Sequence, residues 1–216
     1  MRLDHLAYVS DHDHVIDVVQ RLGSSLGSAF TDGGIHPRFG TRNFILPLEG
    51  GAYLEIVCAL DHPAADSAPF GRAVTRRAAE GGGWLGWVVG VNDMTVAEKR
   101  LGRESVPGHR RRPDGVDLSW NQLGINSMIE DPQLPFFIQW HVDDSEHPSA
   151  GANHGVRIQS LEIAGDPKVV SQWLGEPVDH PLDDIAVTWI DPRDNDGATG
   201  LIAAEIRTPK GLVRID

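Results

Sequence analysis

Three stretches of this chain share one punctuation, and that recurrence restricts the fold more than any other feature. "LDHLAYVSD" (Leu3 to Asp11), "LGWVVGVND" (Leu85 to Asp93) and "IQSLEIAGD" (Ile158 to Asp166) are apolar, β-branched or aromatic runs, each ending in an aspartate suited to capping a helix. A helical pattern follows each. Val15, Ile16, Val18, Val19 and Leu22 precede a stop at Gly23; Met94, Val96, Ala97 and Leu101 precede Gly102; Val169, Val170, Trp173 and Leu174 follow a first-turn Pro167 and precede Gly175. Further strand-like runs come next: "FILPL" and "AYLEIVCAL", then "VDLSWNQL" and "PFFIQWHV", then "IAVTWI" and "GLIAAEIRT".

The repeated unit therefore reads as βα followed by two or three strands. The expected class is α+β, with repeated βαβββ modules forming cupped mixed or antiparallel sheets and helices packed outside. The modules fall at residues 1–60, 83–144 and 155–216, the third only βαβββ-like, with a linking helix over 61–82. "DDSEHPSAGANHG", polar and rich in Pro and Gly, reads as a loop between the last two.

Charge and composition exclude several functions. A formal net charge of −12 offers no broad footprint for nucleic acid or an anionic membrane. The one basic cluster, "GHRRRPDG" at Gly108 to Gly115, reads as a solvated loop. No signal-peptide pattern opens the sequence and no apolar run approaches the ~18 residues of a spanning helix, so a cytoplasmic location is expected. A single cysteine, Cys58, lies in an apolar strand and reads as a buried, inert thiol.

Strand alternation puts Leu3, His5, Ala7 and Val9 on one face, and Tyr53, Glu55 and Val57 on one face of the last strand of the first unit. His5 and Glu55 each interrupt an apolar strand, and a buried carboxylate needs a cation, a donor or a metal. On neighbouring strands the two would form half of a divalent metal site, or equally a buried His to Glu hydrogen bond. Between them lies "GGIHPRFGTRN", Gly33 to Asn43, where polar groups are dense. On an extended segment His36 and Arg38 share a face; His36 could bind metal or act as acid or base, and Arg38 could hold an anionic substrate group. Equally, His36 could sit on the rim, with Thr41 and Asn43 serving turn hydrogen bonds. Most of Trp84, Trp87, Trp120 and Trp140 read as packing, with one or two walling an apolar pocket. His12, His14, His62, His109, His147, His154 and His180 read as surface residues.

With "LDHLAYVSD", "GGIHPRFGTRN" and "AYLEIV", which cover most of residues 3–57, the chain resembles the vicinal oxygen chelate superfamily, and within it the glyoxalase-like domain proteins. The resemblance implies paired βαβββ modules and a divalent metal held by first-strand and last-strand residues of two modules. The metal would stabilise an oxyanion or enediolate of a small oxygen-rich substrate. Carried onto this chain, His5 and Glu55 match the ligands of one module. Repeat alignment sets Trp87 and Ser160 opposite His5, and Gln139 and Glu205 opposite Glu55. The expected ligand set is His5, Glu55 and Gln139, with His141 in reserve and Glu205 ranked lower beside its simplest partner, Arg207. His36 and Glu55 are the catalytic candidates; Arg38, Asn43, Trp87 and His141 are candidates for substrate contact.

The metal could be Zn, Mn, Fe, Ni or Co. Isomerisation, lyase, hydrolytic and dioxygenase chemistry all remain open, and a metal-free protein that sequesters a small antibiotic or metabolite is the alternative. A module whose cup is vestigial is a third reading. An odd third unit permits either a homodimer or a cover over the cup.

Overall fold

The computed structural model describes residues 1–152 and 155–216. Among the surface assignments made from sequence, that of His154 lies outside the described residues. The first unit comprises β1 (Arg2–Val9), α1 (Val15–Leu26), β2 (Thr31–His36), β3 (Thr41–Pro47) and β4 (Tyr53–Ala59). Two helices follow, α2 (Pro63–Ser67) and α3 (Pro69–Ala79), where a single linking helix is expected from sequence. Pro69 accounts for the break: it disfavours helical backbone at the residue before it, and Ala68 is extended at φ −77° and ψ 138°. The second unit comprises β5 (Gly83–Gly90), α4 (Met94–Leu101), β6 (Val106–Arg111), β7 (Asp117–Leu123), α5 (Ile125–Glu130) and β8 (Phe136–Trp140).

These eight strands close into a barrel in the order β1-β4-β3-β2-β6-β7-β8-β5. Within each unit the first strand lies parallel to the last, β1 to β4 and β5 to β8. The units meet along an antiparallel β1 to β5 seam and at one residue pair, Ile35 with Arg111, between β2 and β6. The architecture is α+β with the helices outside a curled mixed sheet.

Several sequence expectations change in detail. Asp93 caps α4, and Asp166 the helix that begins at Pro167, through their side chains. Asp11 instead accepts from the amides of Asp13 and His14, one turn ahead of its helix. That helix passes through Gly23 and ends at Gly27, whose left-handed φ of 67° suits a glycine terminator. "GHRR" within the basic cluster is strand rather than solvated loop; it forms β6 and closes the barrel.

The third unit comprises β9 (Arg157–Ala164), α6 (Pro167–Leu174), β10 (Ala186–Ile190), β11 (Gly200–Thr208) and β12 (Gly211–Ile215). Its element order repeats, but its wiring does not. The sheet runs β10-β9-β11-β12, with the first strand central rather than parallel to the last. Leu161, Ile163, Ala204, Ile206 and Ile215 share one core with Leu3, Leu6, Trp84 and Trp87 of the barrel wall. The third unit thus packs on the outside of the barrel and does not cover a cup.

Closure at β2 and β6 depends on a bare backbone. A Cβ at Gly34 would stand 1.9 Å from the Arg111 carbonyl oxygen, at a φ of +103° that L side chains rarely adopt. We expect Gly34→Ala to destabilise the fold by roughly 2 kcal/mol or more in urea denaturation. Gly50→Ala is the control, since its φ is also positive, +86°, but its Cβ would meet nothing within 4 Å. It should cost only about 1–2 kcal/mol; equal losses at the two positions would mean that the seam tolerates a side chain.

Candidate active site inside the barrel

The barrel holds a narrow cavity, and the two units furnish different walls. His5 from β1, His36 from β2, Asn43 from β3, and Tyr53 and Glu55 from β4 make a polar wall. Trp120 from β7 and Phe136, Ile138 and Trp140 from β8 face it, with Phe70 of α3 and Ile125 of α5. Two polar groups interrupt the second wall: Gln122, which accepts from the Trp120 indole N–H at 2.8 Å, and Arg110 of β6.

Glu55 is the centre of the polar wall. It is buried, and Asn43 Nδ2 donates to its Oε1 at 2.6 Å. His36 Nε2 lies 3.9 Å from the same oxygen, and His5 Nε2 lies 3.9 Å from Oε2. Both imidazoles are oriented by their other nitrogen. His36 Nδ1 meets Thr41 Oγ1 at 3.0 Å, so Thr41 and Asn43 serve the site rather than a turn alone. His5 Nδ1 meets Asp4 Oδ1 at 2.7 Å. Because a carboxylate only accepts, Asp4 fixes the proton on Nδ1 of His5 and turns Nε2 toward Glu55.

Asp4 is placed by a bulge. Leu3 pairs with Val89 and His5 with Val88, so Asp4 is the extra residue on β1. This corrects the simple alternation expected for the strand: Leu3 joins the outer core while His5 faces the cavity. Asp4 is completely buried, and besides His5 it accepts from Trp140 Nε1 at 3.1 Å, meets His147 Nε2 at 3.2 Å, and pairs with Arg2 at 3.5 Å. Burial pushes its carboxyl upward, but the hydrogen bonds and charge of His147 and His5 outweigh burial and hold it well below the usual carboxylate range. His147, expected at the surface, is therefore half-buried and anchors the segment after β8 to β1.

The remaining ionisable groups follow from the same enclosure. Burial, then the charges of Arg110, His5 and His109, pull His36 well below the ordinary imidazole range. Its ring sits among Phe39, Phe70 and Trp120. Burial, then Asp4 and Glu55, drive the Tyr53 phenol well above its ordinary value, so it remains a hydroxyl; its ring stacks on His5 at 4.5 Å. Burial likewise pushes Cys58, outside the cavity, up to about 11, consistent with an inert thiol. Arg110 is 3% exposed, and its Nε has no hydrogen-bond partner among the described residues.

Other expected site residues stand elsewhere. Gln139 is turned away from the cavity, accepting from the Met94 amide at 3.1 Å and donating to the Asn92 carbonyl at 3.0 Å, and so caps α4. Trp87 is fully buried in the outer core and donates to the Gln133 carbonyl. In each case the inward-facing residue is a neighbour in sequence: Ile138 and Trp140, which line the cavity, flank Gln139, and Val88, which joins the inner core with Trp120 and Phe136, follows Trp87. A side-chain period of two makes a one-residue misalignment a change of face. His141 is exposed beyond the end of β8, and Arg38 is exposed, donating to the Pro107 carbonyl. Glu205 lies in the outer sheet and accepts from Ser160, while Arg207 binds Gln159. Trp120 and Trp140 are the two of the four tryptophans that wall the pocket, whereas Asp4, Tyr53, Arg110, Gln122 and His147 are the contributors the sequence reading did not assign to the site; the Gly108/Arg110 alternation in "GHRR" is the signal that could have found Arg110.

Whether this wall suits a divalent ion is a question of donor placement. His5, His36 and Glu55 have the right chemistry. Yet each imidazole addresses a different oxygen of Glu55, and no three His, Cys, Asp or Glu side chains among the described residues come together as an ion-holding group. Gln139 supplies nothing, and a guanidinium shares the cavity. The residues as placed do not fit a resident divalent ion.

Residues 3–178 match the model of a family described as glyoxalase-like domain. No curated protein matches the chain. Among solved structures the chain is similar to a hypothetical protein from Staphylococcus aureus, with 15% identity over 100% of this chain and 85% of that one and a TM-score of 0.61. A methylmalonyl-CoA epimerase from Mycobacterium tuberculosis is similar over 64% of this chain and 86% of that one, with 16% identity and a TM-score of 0.42. The first of these likenesses establishes a shared fold across the whole chain.

The depressed His36 gives the fold a pH signature. Because its folded pKa lies below the unfolded value of about 6.5, the unfolded chain takes up the proton first. The neutral ring's contribution is complete above about pH 6.5 and is lost as pH falls below it, at up to about 1.4 kcal/mol per pH unit. Asp4 acts in the same sense, but only below about pH 4. We expect urea denaturation between about pH 7.5 and pH 5 to reveal this slope in the native chain. His36→Gln, which keeps a partner for Thr41, should flatten it; an unchanged slope would place the proton uptake elsewhere.

Proposed function

The chain belongs to the glyoxalase-like domain family, within the vicinal oxygen chelate superfamily, and on that premise we propose that its barrel cavity is an active site for proton transfer at a carbon beside a carbonyl. The substrate class is a small molecule with vicinal oxygens, and the chemistry is isomerisation or elimination through an enediolate. One observation carries this reading: a buried carboxylate set between two oriented imidazoles, one of its oxygens fastened by Asn43.

Fastening Oε1 leaves Glu55 Oε2 as the basic oxygen, turned toward His5. Oε2 takes a proton from the substrate carbon; the C–H bonding pair becomes the new C=C bond, and the carbonyl π pair moves onto its oxygen. His36 is kept neutral by burial, and with the Thr41 hydroxyl donating to Nδ1 its Nε2–H donates to that oxyanion. The proton of the vicinal hydroxyl passes to the oxyanion, the hydroxyl oxygen becomes the new carbonyl, and Glu55 returns the carbon proton to the adjacent carbon, which completes an isomerisation; loss of a leaving group from the same intermediate would complete an elimination. His5, supported by Asp4, relays the proton between Glu55 and solvent. The phenol of Tyr53 supplies a further donor at the cavity wall.

A metal-dependent version of the chemistry, implied by the superfamily, would require His5, His36 and Glu55 to converge on one ion. Their present placement favours the metal-independent route, and a sequestering protein would have no use for an oriented base.

The test is deuterium exchange into a panel of small 2-hydroxycarbonyl compounds in D₂O, followed by proton NMR. Chelator-treated protein should catalyse exchange in at least one, and Glu55→Gln should slow it by about 10²–10⁴-fold while folding normally. Exchange that survives Glu55→Gln, or is absent throughout the panel, overturns the proposal. Exchange that requires added Zn, Mn, Fe, Ni or Co overturns its metal-independent form.

A further inference from the structure

We propose that Arg110 is the anchor of a carboxylate subsite inside the barrel, so that the natural substrate is a short hydroxy or oxo acid. This deepens the proton-transfer reading and rests on it for the word substrate; the binding site itself does not.

The observation is an unsatisfied cation. A guanidinium offers five N–H donors in a flat fork and cannot shed its charge in a protein. At 3% exposure Arg110 has given up nearly all of its hydration, yet its buried Nε finds no acceptor among the described residues. Its neighbour in sequence but one provides the contrast: Arg112 is paired with both Asp114 and Glu146. Glu55 acts on Arg110 through space, but the carboxylate's hydrogen-bonded partner is Asn43. A protein gains nothing in stability by keeping such a group, since leaving a charge buried and unpaired is among the costlier defects of a fold. A bound anion would supply the missing acceptors, and a carboxylate matches the fork with two parallel hydrogen bonds.

Cavity contents select the size and charge of that anion. The space is narrow and bounded by the rings of Trp120, Phe136 and Trp140, which favours a short acid over a long one. Glu55 contributes its own negative charge nearby, which disfavours a dianionic phosphate more than a singly charged carboxylate. Arg110 also lines a second concavity, formed with Asp32, Arg112, Glu146, His147 and Pro148, and therefore stands between the inner cavity and this outer groove. An acid entering from that side reaches the guanidinium first and presents its remaining oxygens toward Glu55.

Thermal shift and intrinsic tryptophan fluorescence with lactate, pyruvate, lactamide, hydroxyacetone and inorganic phosphate test the assignment. Lactate and pyruvate should raise the melting temperature and perturb fluorescence, with lactamide and hydroxyacetone at least about tenfold weaker. Arg110→Met should abolish the preference for acids, while its ligand-free melting temperature equals or exceeds that of the native chain. Arg110→Lys should keep the fold and bind acids about tenfold more weakly, because an ammonium cannot make the paired contact. No preference for acids over their neutral analogues in the native chain, or a preference unchanged in Arg110→Met, overturns the subsite. Loss of folding in both variants would reassign Arg110 to structure, and stronger binding of phosphate than of lactate would overturn the carboxylate assignment. Acid binding without deuterium exchange would sink the catalytic reading alone; exchange without acid preference would sink the subsite alone.

Discussion

The short pairing between β2 and β6 determines what faces what in this molecule. Gly34 admits the Arg111 carbonyl where a side chain would not fit, and the barrel closes there through the Ile35 to Arg111 pair. Closure brings β6 opposite the wall formed by β1 to β4, and with it the Arg110 guanidinium into the same enclosure as Glu55. Without that seam the two units would stay joined along β1 and β5 alone, and the barrel would open into a curled sheet between β2 and β6. The seam also raises the electrostatic stakes: a carboxylate and a guanidinium in a shared cavity of low polarity act on each other, and on His36, far more strongly than they would in water.

The first unit was legible because β4 obeys strict alternation. Tyr53, Glu55 and Val57 face inward while Leu54, Ile56 and Cys58 face outward, as a period of two requires. His5 was legible as a polar break in an apolar strand, although the Asp4 bulge that orients it was not, since no pattern of types announces an extra residue in a ladder. In the second unit repeat alignment misses by one residue in β5 and one in β8, sending Trp87 and Gln139 to the wrong face. Arg110 was hidden for another reason. Composition makes "GHRRRPDG" look solvated, and only pairing with β7 and β2 turns alternate members of that run inward.

The third unit separates sequence order from wiring. Strand, capped helix and glycine stop are local devices, set by Asp166, Pro167 and Gly175, and these recur faithfully. Sheet order is nonlocal, and in the third unit β9 pairs with β10 and β11 instead of with the final strand. Its apolar face then covers Leu3, Leu6, Trp84 and Trp87, residues that would otherwise expose the outside of the barrel to water. The unit supports the site from behind: β1 is buried on both sides, cavity on one and third-unit core on the other, which restrains the strand carrying His5.

Polar chemistry concentrated on one wall has a mechanistic consequence that a symmetric pair of units would not have. Glu55, His5, His36 and Asn43 can act only on the part of a bound molecule that lies against β1 to β4, while the opposing wall offers aromatic surface, the Gln122 amide and one fixed cation. A ligand held by that cation is oriented before any contact with the base, so its reacting carbon is placed by distance from its charged end. Selectivity in such a cavity comes from the spacing between a single anchor and a single base, rather than from a ring of equivalent ligands. The duplicated fold supplies the enclosure, and divergence between its two halves supplies the direction in which a substrate must lie.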